Sequence, residues 1–193
     1  MKARHILALA AVTLLLSSCI PSVHPFYSEK DVVLDARLLG EWQAKGESDD
    51  PELWKFEQGE DKCYKLTVRE KDGKQGQFAA RLFKLRSEFF LDITPTECEL
   101  APDQAELVGA SMFAGHLLIR VLWLEPELQL AYCDYEWLEK HLKAKLKALA
   151  HHREGDERIV LTASTRDLQR FVLKHLGEGE LFQKPNEMVR KKN

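Results

Sequence analysis

Between Cys63 and Glu70 apolar and polar residues alternate, with Tyr64, Leu66 and Val68 set against Lys65, Thr67 and Arg69. A period of two is the pattern of a strand with one buried face. Short runs of the same kind recur down the chain. The expected strands are Leu38–Ala44, Glu52–Glu57, Cys63–Glu70, Gln77–Leu85, Glu88–Thr94, His116–Leu124, Glu127–Cys133 and Arg158–Ala163. Lys71-Asp72-Gly73-Lys74 has turn chemistry, because Asp-Gly readily takes positive φ. Arg86-Ser87 and Glu125-Pro126 read as tight turns, and a longer loop is expected from Pro95 to about Ala114.

The period lengthens in two places. In Tyr135–Ala150, Trp137, Leu138, Leu142, Leu146 and Leu149 fall on one face at helical spacing. Glu136 and Glu139 lie early and lysines late, which suits the helix dipole. Lys140, Lys143, Lys145 and Lys147 fall opposite the stripe. Such a face either stays in water while the helix packs on the sheet or lies on an anionic membrane. A second helix begins at Ser164 or Thr165, either of which can cap it. Leu168, Phe171, Val172 and His175 or Leu176 form its stripe, and Gly177 stops it.

These elements predict a mainly β fold with α content. It is an eight-stranded antiparallel meander with a helix before the last strand and a C-terminal helix. Such a meander can close into a barrel, which removes its edges. The alternative is an open or two-layer sheet with helices on one face. In a barrel, Tyr64, Leu66, Val68, Phe89, Leu91, Ile93, Leu128, Leu130 and Tyr132 would face inward, with Ile159 and Leu161 beside them. The interior of an eight-stranded barrel holds side chains or one small ligand.

The first strand carries Leu39-Gly40-Glu41-Trp42, preceded by the turn-like Asp35-Ala36-Arg37. This Gly-x-Trp resembles the lipocalin signature. The resemblance implies that Gly40 and Trp42 close one end of a barrel and that a helix follows the last strand, as Thr165–Gly177 would. It also implies an arginine stacked on Trp42, for which Arg166 is the candidate. The family's Thr-Asp-Tyr motif is not in its place, since Cys133-Asp134-Tyr135 follows strand seven instead of preceding it.

The chain begins with Lys2 and Arg4, then the uncharged apolar run Ile6–Leu16, then Ser17, Ser18 and Cys19. The run is too short to cross a bilayer as a helix, which needs about 20 residues. Its length suits a secretory signal. Small residues before a cysteine here resemble the lipobox of bacterial lipoproteins. The resemblance implies cleavage after Ser18 and a lipid thioether on Cys19, whose thiolate is the nucleophile. Several acyl chains anchor a protein stably where one does not. Ile20 instead of Asp after the cysteine points, by the same resemblance, to the outer membrane facing the periplasm in a Gram-negative cell. The expected organisation is therefore a signal peptide at 1–18, a lipidated cysteine and tether at 19–34, and one domain at 35–193.

Charge then narrows the partners. Losing Lys2 and Arg4 with the signal takes the basic count from 28 to 26 against 31 acidic residues, a balance of −5. Nucleic-acid binding would favour a basic footprint instead, so no nucleic acid is expected as a partner. No P-loop, Gly-x-Ser-x-Gly or His-Glu-x-x-His is present. Asp92 and Glu88 are a carboxylate pair of a kind that any acid-rich chain contains. His151 and His152 are adjacent and point apart on any regular element, so they read as a solvated helix end. No catalytic residue, metal or cofactor is expected.

Outside the cytoplasm disulfides are permitted. In a meander, strands five and seven run toward the same end, which brings Cys98 and Cys133 near each other and leaves Cys63 free. The alternative is three reduced cysteines acting as small apolar residues. The leading functional expectation is an anchored envelope lipoprotein that binds a small apolar ligand or lipid inside its barrel. The alternative is a structural lipoprotein with a filled core that binds an envelope protein, with Trp54, Phe56 and Trp123 as its aromatic contact.

Overall fold

The computed structural model describes residues 20–46, 50–96, 113–145, 148–154 and 158–191. The expectations for the signal, for Ser18 and Cys19, and for Cys98 and hence its pairing with Cys133, lie outside these residues.

The alternating runs form strands β1 (Gly40–Ala44), β2 (Leu53–Gln58), β3 (Tyr64–Arg69), β4 (Gln75–Leu85), β5 (Glu88–Pro95), β6 (Leu117–Trp123) and β7 (Leu128–Tyr132). Each pairs antiparallel with the next, in registers such as Trp42 opposite Trp54 and Leu82 opposite Leu91. An eighth strand closes the barrel between β7 and β1. It is Asn186–Arg190, and not the expected Arg158–Ala163. The fold is thus mainly β, with a closed eight-stranded antiparallel barrel.

Arg158–Leu161 (β9) is a strand, but it pairs with His151–Glu154 (β8) in a two-stranded hairpin outside the barrel. The closing strand Asn186–Arg190 is β10. Ile159 and Leu161 are therefore buried against helices and not inside the barrel. Helix α1 (Tyr135–Ala144) is shorter than its pattern suggests. The hairpin takes up His151 and His152, which extend the chain as strand instead of helix. Leu149 still reaches the same apolar cluster, from a turn. Helix α2 (Thr165–His175) follows, with the Ser164 hydroxyl accepting from Asp167 N–H. Its buried face is Leu168, Phe171, Val172 and His175. It precedes the last barrel strand where the lipocalin resemblance places it after.

The sheet separates two cores by its period of two. Leu82, Leu91, Ile119 and Leu130 point into the barrel. Phe83, Phe90 and Leu118, one residue out of phase, point outward and are covered by α1, α2 and the hairpin. The segment expected as a tether is also packed. Ile20, Phe26 and Val32 are 5, 4 and 2% exposed. Ser22 bridges His116, the residue before β6, on one side and Leu161 of β9 on the other. Val32 then bridges β4 at Phe83.

Candidate functional site

Two regions could carry function: the barrel interior and the outer surface around the helices. The interior comes first because the inward positions were the expected ligand lining. Tyr64, Leu66, Leu91 and Leu130 are at most 1% exposed, and Ile93 is 5% exposed. Val68, Phe89 and Tyr132 are partly buried against the same cluster. A side chain with no accessible area touches no water-sized void. Trp42, Tyr64, Leu82, Leu91, Ile119 and Leu128 all meet that condition. Phe56 stands edge-on to Tyr64 at 6.1 Å between ring centroids.

One end of this interior is plugged. The single-turn 3-10 helix Ala36–Leu38 crosses it, with Leu38 fully buried. Tyr64 reaches the plug from β3, its hydroxyl donating to Asp35 C=O and accepting from Asp35 N–H. Burial pushes the Tyr64 phenol up, against the lowering effect of its hydrogen bond to the backbone of Asp35. Trp42 donates from its indole N–H to Leu38 C=O at 2.8 Å. The arginine stacked on Trp42 is Arg190, not Arg166, which lies exposed on α2. Gly40 has φ +112°, and a Cβ there would stand 2.8 Å from the Arg190 guanidinium. That position needs glycine for both conformation and space. The short final strand has no periodic signal in the sequence that would mark its arginine; Met188 and Arg190, two residues apart, share the face turned to the barrel end.

Trp54 and Phe56 are 3 and 1% exposed inside the barrel, so they form no surface patch with Trp123, which is 62% exposed. Cys63 is a half-buried thiol with no disulfide.

The outer face holds a buried hydrogen-bonded carboxyl group. Asp92, 2% exposed, accepts from Phe26 N–H and pairs with His116 Nδ1, both at 2.7 Å. It does not face Glu88, which pairs instead with Arg120. Asp92 thereby fixes the N-terminal segment to β5 and β6.

A second surface feature is a cleft of about 770 Å³ between the end of α1, residues 148–150 and α2. Leu149, Ala163 and Phe171 form its floor. His141 from α1 and His175 from α2 meet there with ring centroids 4.6 Å apart. Trp137 stacks on His141 at 4.7 Å, and His175 Nδ1 bonds Glu178 at 2.6 Å. Burial lowers the His141 pKa, and the nearby His175, Lys145 and Lys174 push it the same way. Lys145 and Lys174 have no ion-pair partner among the described residues. Neither histidine's partnership was visible in sequence, because 34 residues separate them.

No family model, curated protein or solved structure matches the chain. Its functional reading therefore rests on its own residues.

Proposed function

We propose that this chain is a lipid-anchored envelope protein that acts through its outer surface, with the barrel as a solid scaffold. The observation that supports this reading is the packed interior. Tyr64, Leu66, Leu91, Ile93 and Leu130 of the expected lining are buried in one apolar cluster, and Trp42, Leu38 and Tyr64 plug one end. Burial of this kind makes each side chain a stabilising element, about 1.5–3 kcal/mol apiece. A cavity for an apolar ligand would leave part of that lining uncovered.

The partner in this reading is an envelope protein or the membrane itself, reached from the anchor at Cys19. The lipobox resemblance of Leu16-Ser17-Ser18-Cys19 supports the anchor.

Native mass spectrometry of residues 20–193 produced in the periplasm tests the solid barrel. The expected mass is that of the polypeptide alone. A repeatable added mass, lost on denaturation and absent from control proteins, overturns the solid scaffold in favour of a ligand carrier. Metabolic labelling with fatty acid tests the anchor. Wild type should carry label and Cys19→Ala none; equal labelling of both overturns the anchor.

A further inference from the structure

The segment after Cys19 has no slack. Ser22 exchanges N–H to C=O hydrogen bonds with His116 at 2.9 Å in both directions. Val23 N–H donates to Leu161 C=O, and Leu161 N–H donates to Pro21 C=O, each at 2.9 Å. Farther on, Thr165 Oγ1 and Gln169 Nε2 on α2 donate to the carbonyls of Pro25 and Phe26. Ser22 therefore bridges His116, just ahead of β6, to Leu161 of β9, so that the start of β6, the chain around Ser22, and the β9–β8 hairpin lie side by side as one layer.

This layer has two faces. Ile20, Ser22, Ile159 and Leu161 point to the core beneath the helices, where Arg153 also meets Glu139 of α1. Pro21, Val23, Val160 and Thr162 are out of phase with them and take the other face. No helix covers it among the described residues. Val23 is 44% exposed and Phe113 is 49% exposed. Phe113 belongs to the same patch: a Cβ on Gly115 would lie 2.8 Å from Pro21 and 3.3 Å from the Phe113 ring. His152, opposite Val160 in the hairpin, is exposed at its margin. None of these six residues is an acid, a lysine or an arginine.

We propose that this face, Pro21, Val23, Phe113 and Val160, lies directly against the lipid bilayer. The inference rests on the reading of Cys19 as the acylated residue. One peptide bond joins Cys19 to Ile20, so their Cα atoms are about 3.8 Å apart. Acyl chains hold their attachment point at the headgroup level, and the folded domain begins there. A flexible tether over 19–34 would have let the domain range about 20 Å from the surface. The packed segment removes that freedom and leaves the apolar face beside the anchor. Interfacial apolar surfaces enter the headgroup and acyl boundary, and Val23 and Phe113 are the large exposed apolar side chains that this face presents to it.

The test uses the full chain, processed in cells with labelled phospholipid. A photoreactive benzoylphenylalanine replaces Val23, Phe113 or, as control, Lys55. Lys55 points outward from β2, four strands around the barrel from β6. Fatty-acid labelling is read on the same samples. The expected result is acylated protein with phospholipid adducts at positions 23 and 113 and none at 55. Acylated protein with equal lipid adducts at all three positions, or with protein adducts at 23 and 113, overturns bilayer docking and leaves the anchor standing. Unacylated protein overturns the anchor itself. If the variants at 23 and 113 fail to accumulate, Val23→Asp with Phe113→Ser is compared with wild type by protease protection on intact vesicles. Docking predicts faster cleavage near Pro21 in that variant; an unchanged rate overturns it.

Discussion

The Arg190 guanidinium lies over the Trp42 ring, 4.3 Å from its centroid, and donates to the carbonyls of Leu39 and Arg37 at 2.7 and 2.6 Å. One side chain from the last strand thus joins the first strand and the 3-10 plug. The cation–π contact is worth about 0.5–1 kcal/mol at an exposed site, and hydrogen bonds from a charged donor add to it.

Arg190→Ala should therefore lower stability by about 1–3 kcal/mol. Arg190→Lys should recover only part of it, because an ammonium cannot span both carbonyls and stack at once. Urea denaturation checks this: the midpoint should fall in both variants, further for alanine, with the slope unchanged. A midpoint that does not move for Arg190→Ala would show that the barrel end closes without this residue.

Asp92 should be equally legible in a stability measurement. It is nearly inaccessible, and its two oxygens serve Phe26 N–H and His116 Nδ1. Removing one partner of a buried hydrogen bond leaves the other unsatisfied, typically at about 1–3 kcal/mol. Asp92→Ala, which strands both Phe26 N–H and His116, should cost about 2 kcal/mol or more. It should also release residues 20–34, seen as new proteolytic cleavage ahead of Leu38 before the barrel is cut. Asp92→Asn keeps one acceptor and should fall between. Loss of stability without selective exposure of that segment would show that Asp92 acts only within the sheet.

Seven of the barrel strands were legible as short apolar runs between turn or loop residues, with the clearest period-two alternation in β3. The eighth was not. Asn186–Arg190 is five residues long and buries only Met188, with the apolar Val189 beside it, so it has no alternation long enough to read. Its place is set by pairing with β1 and β7, a tertiary fact. Arg158–Leu161 shows the converse. Its apolar residues read as strand correctly, but the pattern does not say which sheet will take it. The same limit hid the surface by the anchor. Pro21 and Pro25 made 20–32 look like a linker, since proline breaks periodicity. The segment is held instead by backbone pairing at Ser22 and by carbonyls offered to α2, neither of which needs a sequence pattern. Gly40 and Trp42 were readable as a closing motif. Arg190, their partner, lay 148 residues beyond Trp42.

His141 in the surface cleft gives the fold a pH dependence whose sign can be worked out. Burial lowers the His141 pKa below its ordinary 6.5, and His175, Lys145 and Lys174 lower it further, while Glu178 opposes them. The unfolded chain then binds a proton at His141 more readily than the folded chain. Stability rises with pH wherever the unfolded state holds more protons. The contribution is present above about pH 7 and is lost as pH falls through 6.5 and below. Carboxylates held low by hydrogen bonds, such as Glu178 bonded to His175, lose their contribution in a more acidic range, below about pH 4.5. The interval from pH 7.5 to 5.5 therefore separates the two. His141→Phe keeps an aromatic ring against Trp137 and removes the titrating group. Its urea midpoint should drop less than the wild-type midpoint between those two pH values. Equal drops would mean that His141 charges as easily in the folded chain as in the unfolded one, and that the pair sits in a wetter cleft than the packing of Trp137 and Phe171 around it implies.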